Sequence, residues 1–366
     1  MKDLGERATR ASKILVTAST EDKNETLRTS ADCLVAATQE ILDANLRDVR
    51  RAEASGTSET VIDRLRLDVV RVESMAEGLR KLIQLPDPVG KISESWTRPN
   101  GLEIQKVQVP LGVVAIIYEN RPNVTSDAFG LCLKSGNVAF LRGSSAAIDS
   151  NVAIASALRE GIAKAGLPED CLVLVDDTSH QTAIEFMQLR DHIACLIPRG
   201  GPSLISSILE NATVPYVIDG DGNCHVYVDT AADLGLAENV VVNAKMQRPS
   251  VCNAAESLVV HSEIAAAFLP RIAEALDGVE LVGDNRAQAL APSIAPADND
   301  DWSTEYLDLK MSVRVVDDLD EAIEHINTNS TGHSEAIITN DQVSAQEFTS
   351  RVDAAAVLVN TSTRFV

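Results

Sequence analysis

Cys252 closes a polar, doubly basic turn, Asn243-Ala244-Lys245-Met246-Gln247-Arg248-Pro249-Ser250-Val251-Cys252, and stands just ahead of an apolar run, Ser257 to Val260. Neighbouring cations and backbone N–H groups can hold a thiol as thiolate, which is its nucleophilic form. Taken alone, one cysteine is more often a buried structural residue; this one gains weight from its company. Glu119-Asn120-Arg121-Pro122-Asn123-Val124-Thr125 follows a β-rich run at 113–118. Pro122 forces an extended approach, and Asn123 falls where a helix should begin. Its amide either caps that helix or faces a developing oxyanion.

Two further loops have the composition of a nucleotide cradle, although no G-x-G-x-x-G fingerprint occurs. Leu141-Arg142-Gly143-Ser144-Ser145 lies between an expected strand and helix, and offers a guanidinium, small residues and backbone N–H groups suited to a ribose phosphate. Pro198-Arg199-Gly200-Gly201 has the same setting, with glycines that allow close backbone approach. Each loop alone reads as an ordinary turn. Both on βα units of one sheet point to a cofactor cleft at the strand ends. His225 lies on a strand-like run, and no second histidine has metal-ligand spacing, so it is expected to be structural and no metal is assigned.

The elements that must carry these residues follow from pattern. Residues 1–85 read as helical, with amphipathic segments opening at 19–25 and spanning 58–83, the second ending before Pro86-Asp87-Pro88. A β-hairpin is expected at 96–109 with its turn at Pro99-Asn100-Gly101. From 113 onward strands alternate with helices: strands at 113–118, 138–141, 171–175, 193–197 and 214–218, with helices between them. A second cycle begins near 229, with strands at 257–261, 312–316, 335–338 and 356–359 and a polar, Pro-containing connection at 293–301. That alternation implies right-handed βαβ units in a doubly wound α/β fold.

Bulk properties narrow the function. A chain of 366 residues, 45% hydrophobic and only 3% aromatic, can bury two aliphatic α/β cores. A net charge of −22 argues against nucleic acid as a partner, so an anionic substrate would need a local basic island. Six cysteines without a C-x-x-C pair suggest neither a disulfide framework nor a zinc site. With no apolar signal core and no membrane-length apolar run, the expectation is a cytoplasmic protein in a reduced compartment, with no membrane association.

Taken together the segments resemble the γ-glutamyl phosphate reductases (glutamate-5-semialdehyde dehydrogenases) of the aldehyde dehydrogenase superfamily. The likeness is carried by WTRPNGL at 96–102, VPLGVVAIIYENRPNVT at 109–125, LCLKSGNVAFLRG at 131–143, IPRGG at 197–201, GNCHVYVD at 222–229, VVNAKMQRPSVCNAAE at 241–256, DWSTEYLDL at 301–309, STGHSEAI at 330–337 and VNTSTRF at 359–365. The resemblance implies an NADP-binding domain at 1–95 and 113–228, a projecting oligomerisation hairpin at 96–112 and a catalytic domain at 229–366. It implies Cys252 as nucleophile and Asn123 as oxyanion donor, with Glu305 on the nicotinamide ribose. Arg142, Gly143, Ser144, Arg199, Gly200 and Gly201 would hold the cofactor, Arg142 favouring NADP. Arg121, Lys245, Arg248 and Arg364 are the cations considered for substrate phosphate or carboxylate. The implied reaction is NADPH-dependent reduction of L-glutamyl 5-phosphate to L-glutamate 5-semialdehyde with release of phosphate, a step of proline biosynthesis. Attack on an acyl phosphate needs no water-activating base, and none is assigned. Glutamate 5-kinase is the candidate protein partner, and the full-length chain is expected to be a homo-oligomer. The family is expected to continue beyond Phe365 with a glycine-rich segment. A hydrolytic aldehyde dehydrogenase and a fragment that only binds are the alternatives at this stage.

Overall fold

The computed structural model describes residues 1–218 and 222–366. The chain divides into two compact units at 219/220.

The first unit opens with α1 (Lys2–Leu15), α2 (Thr20–Ala36), α3 (Thr38–Ala54), α4 (Glu59–Leu65) and α5 (Val69–Gln84). A capping box starts α2: the Ser19 hydroxyl accepts from the Asp22 N–H while the Asp22 carboxylate accepts from the Ser19 N–H. The segment expected as one helix over 58–83 breaks after Leu65, and α5 restarts where the Asp68 carboxylate accepts from the Arg71 N–H. The hairpin is β1 (Ile92–Thr97) and β2 (Glu103–Val107), so it begins at 92, ahead of the expected 96. Gly101 at φ +85° makes its turn. All of β1 is exposed, and Ile104 alone in β2 is partly covered.

The remainder of this unit is β3 (Val113–Tyr118), α6 (Val124–Lys134), β4 (Val138–Gly143), α7 (Ile148–Lys164), β5 (Leu172–Val175), α8 (His180–Met187), β6 (Cys195–Arg199) and α9 (Pro202–Asn211). The four strands from β3 onward form a parallel sheet in the order β5-β4-β3-β6. Growth runs from β3 to β5 and then returns to the other side of β3, so the switch point lies between β3 and β6, where α/β sheets bind ligands at their C-terminal ends. Every residue of β3 is buried, and Phe140 meets Phe186 edge to face at 4.8 Å within the core. The strand expected at 214–218 is reduced to a single bridge between Tyr216 and Leu196. Pro215 supplies no N–H there, and its carbonyl merely accepts from Leu196.

The second unit comprises β7 (Cys224–Val228), α10 (Leu234–Met246), β8 (Ala255–His261), α11 (Ser262–Ala275), β9 (Glu280–Gly283), α12 (Asn285–Leu290), β10 (Ala295–Pro296), β11 (Lys310–Val316), α13 (Leu319–Asn329), β12 (Ser334–Ile338), α14 (Gln342–Arg351) and β13 (Ala356–Val359). Among the described residues its sheet has seven strands, all pairs parallel, in the order β10-β9-β11-β8-β7-β12-β13. This corrects the domain boundary expected at 228/229. The strand at 224–228 is fully buried between β8 and β12, and its ladder bonds put it in the second unit. The short β9 and β10 were not expected, because strands of four and two residues leave no periodicity to read.

Candidate active site

In the first unit the relevant loops leave the C-terminal ends of the strands, and their own side chains tie them together. Glu119, just past β3, accepts from the Gly201 N–H at 3.1 Å, while its N–H donates to the Arg199 carbonyl. Asn120, at φ +49°, exchanges hydrogen bonds with the Ser144 hydroxyl past β4. At 143 and 200 a Cβ would displace neighbouring side chains, falling 2.1 Å from the Asn151 amide and 2.7 Å from the Glu119 carboxylate. Beside Gly201, at the N-cap of α9, a Cβ would meet nothing within 4 Å. That open space before a helix N-terminus, between glycine-lined loops and beside Arg199, fits the phosphate portion of a dinucleotide.

Arg142 is placed differently from a displayed cation. Its Nη2 donates to the Thr178 and Ser179 carbonyls at 2.9 and 3.0 Å, bracing the loop after β5, and its buried Nε has no partner. Burial lowers its pKa from the usual range, with Asp177 opposing that shift. Asn123 is exposed at the start of α6 and does not cap it through its side chain. Its amide donates to the Asp127 carboxylate at 2.9 Å, and the second amide hydrogen remains for another acceptor. Arg121 is also exposed, two residues away.

In the second unit the corresponding loops precede strands and gather at the opposite, N-terminal edge of a parallel sheet. Cys252 precedes β8, Gly222 precedes β7 and Glu305 precedes β11. The Gly222 N–H donates to Glu305 at 2.8 Å. A Cβ on Gly222 would fall 1.5 Å from the Cys252 carbonyl oxygen, so the two backbones touch. That same carbonyl accepts from the Cys224 thiol at 3.2 Å. Asn223 binds this edge together: its N–H donates to Thr331, and its amide donates to the Trp302 and Asn329 carbonyls. Cys252 and Glu305 are thereby neighbours through a single glycine.

Burial separates the six cysteines. Cys252 alone among them is exposed; Cys195 is half-buried and the other four are buried. Burial pushes the Cys132 and Cys171 thiols up to about 12 and raises Cys224 further. Those thiols stay protonated near neutral pH, and Cys252 is the exposed candidate nucleophile.

The four cations considered for the substrate fare unequally. Lys245 is withdrawn: it is fully buried, and its Nζ donates to the equally buried Glu256 at 2.6 Å. A sealed, paired ammonium has no face left for a ligand. Burial lowers the Lys245 pKa and pushes Glu256 up to about 7, with the attraction between the two opposing both shifts. Arg248 is exposed on the Cys252 loop. Arg364 donates from Nε to Gln247 at 3.1 Å, and the nearby Asn253 amide donates to the Val366 carbonyl, so residues 362–366 lie along the Cys252 loop. Sequence reasoning missed Glu119, Gly222 and Glu256. The only signal for Glu256 was a charge at the mouth of an apolar strand, which reads equally well as a solvent-facing strand end.

The aldehyde dehydrogenase family profile matches residues 2–308 and 311–366. The γ-glutamyl phosphate reductase of Heliobacterium modesticaldum is 52% identical over 99% of this chain and 87% of its own length. That of Clostridium botulinum (strain Alaska E43) is 51% identical over 99% of this chain and 88% of its own. The crystal structure of γ-glutamyl phosphate reductase from Thermotoga maritima superposes with a TM-score of 0.97 at 46% identity, covering 99% of this chain and 88% of that one. With the exposed Cys252 and two parallel-sheet units, these matches settle the family: the chain belongs to the aldehyde dehydrogenase family, among the γ-glutamyl phosphate reductases.

Proposed function

We propose that this chain reduces L-glutamyl 5-phosphate to L-glutamate 5-semialdehyde, releasing phosphate and using a nicotinamide cofactor, in proline biosynthesis. The observation that carries the reading is Cys252, the one exposed cysteine, held against Gly222 and through it beside Glu305. The Cys252 thiolate attacks the acyl phosphate carbonyl, the phosphate departs, and a thioester remains on Sγ. Asn123, with its second amide hydrogen, and the Cys252 backbone N–H are the proposed donors to the oxyanion. The cofactor, when bound, supplies a hydride to the acyl carbon. Cys252 then leaves as thiolate and the aldehyde is released.

For holding the cofactor we assign Gly143, Ser144, Arg199, Gly200 and Gly201, and separately Glu305. NADP rather than NAD is the finer proposal; it rests on the family resemblance and not on Arg142, whose Nη2 is held by the Thr178 and Ser179 carbonyls. Arg248 and Arg364 are proposed for the substrate's anionic groups because they flank the Cys252 loop, and Arg121 is proposed as a further candidate. The exposed apolar residues of the hairpin region, Ile92, Trp96, Leu102 and Val107, suit an oligomerisation arm. Glutamate 5-kinase is the proposed protein partner, because an acyl phosphate is labile in water, and the cytoplasm is the proposed compartment.

The test is phosphate-dependent reduction of NADP⁺ with glutamate semialdehyde, run beside NAD⁺. Cys252→Ala should abolish it, by roughly 10⁴-fold or more on the scale seen for lost nucleophiles. Activity persisting in that variant sinks the mechanism. Turnover without inorganic phosphate would instead indicate hydrolysis.

A further inference from the structure

Glu256 lies four residues beyond the exposed Cys252, yet it is fully buried. The register of β7 against β8 explains how. Cys224 faces Ala255 and His225 faces Ser257, so Glu256 is the extra residue of a β-bulge. Bulges re-aim a side chain and recur beside active sites. Here the carboxylate is aimed along the sheet edge: Oε2 accepts from Lys245, and Oε1 accepts from the Leu307 N–H at 3.3 Å. Leu307 holds φ +53°, a left-handed conformation costly for a non-glycine residue unless its surroundings impose it. Glu305 is two residues upstream on the same loop and accepts from Gly222, which abuts the Cys252 carbonyl.

We propose that Glu256 is a positioning residue: neutralised by Lys245, it pins Leu307 in its left-handed conformation and so sets where Glu305 stands relative to Cys252. The proposal rests on the reading of Glu305 as a cofactor ligand. A buried ion pair adds little net stability over an apolar pair of similar size, so its removal as a pair should spare the fold. What cannot be spared is an acceptor for the Leu307 N–H.

Two double variants separate acceptor from charge. K245M/E256Q removes both charges and keeps an acceptor oxygen; K245M/E256L removes both charges and the acceptor. Cofactor affinity is read by direct titration, KM and kcat by assay, and folding by thermal midpoint. The first variant should keep the cofactor KM within about 3-fold of the parent, and the second should raise it about 10-fold with a smaller change in kcat, the scale of one lost hydrogen bond. Equal cofactor affinity in the two double variants overturns the proposal. Glu305→Ala is the control on the underlying reading and should also raise the cofactor KM. If it does not, the ribose assignment fails and the positioning role falls with it. If Glu305→Ala raises KM while the two double variants agree, only the positioning role falls. Should K245M/E256L not fold, Glu256→Asp keeps the charge but withdraws the oxygen by one methylene from Leu307, and should shift KM in the same direction; an unchanged KM there is equally fatal.

Discussion

At the scale of single residues, the site rests on contacts that admit no extra atom. Gly222 is the sharpest case, since a methyl group there would overlap the carbonyl of the nucleophile's own residue. Gly222→Ala must displace the Cys252 loop while leaving both sheets intact. Turnover should fall roughly 10²-fold, the cost of misplacing a reacting group by about an ångström. Parallel circular dichroism and a turnover assay would check this, and near-normal turnover would mean the loop has slack the structure does not suggest. Cys252 stood out in the sequence only in company, as a thiol in a basic turn among several other motif-bearing segments. Gly222 and Glu256 did not stand out, because a glycine in a loop and a glutamate before a strand are ordinary until one knows what lies across from them.

At the scale of elements, the first unit's site is made by stitching the loops of neighbouring strands. Glu119 links the end of β3 to the start of α9 by accepting from Gly201. Such a charge-assisted bond is worth about 1.5–3 kcal/mol net. Glu119→Ala should therefore loosen the Gly200–Gly201 turn and raise the cofactor KM roughly 10- to 150-fold, with kcat changing less. A fall in kcat at constant KM would argue that Glu119 acts on chemistry and not on cofactor binding. The elements that sequence pattern located well were long and periodic, like α7, or continuously apolar, like β3. It misjudged the segment at 214–218, which Pro215 reduces to one bridge, and it assigned β7 to the wrong unit. An apolar five-residue strand carries no mark of which sheet will pair with it.

At the scale of the whole molecule, burial decides what each ionisable group contributes. Across the second unit's sheet, Glu335, His225, Ser257 and Ser312 sit in register on β12, β7, β8 and β11, all fully buried. His225 holds Glu335 at 3.1 Å, and its ring meets His325 edge-on, centroids 5.8 Å apart. Burial, with His225 and Arg314 adding repulsion, pushes His325 down to about 3. The folded state thus refuses a proton that the unfolded chain accepts below pH ~6.5. Stability from this residue is full above that pH and is lost as pH falls towards 3. Between pH 7.5 and 5 the parent should lose roughly 2 kcal/mol more than His325→Gln, measured by urea unfolding at both pH values. Parallel losses in the two proteins would remove the assignment to His325. The sequence by itself determined the family motifs and the α/β alternation, and it singled out Cys252 and the glycine loops as candidates, because each depends on local chemistry or periodicity. Only the tertiary structure decided that Lys245 is a sealed counterion and not a ligand, that Glu256 turns inward at a bulge, and that Cys252 and Glu305 share one glycine. Those outcomes depend on which strand lies beside which, and strand pairing is set by long-range burial that no local pattern encodes.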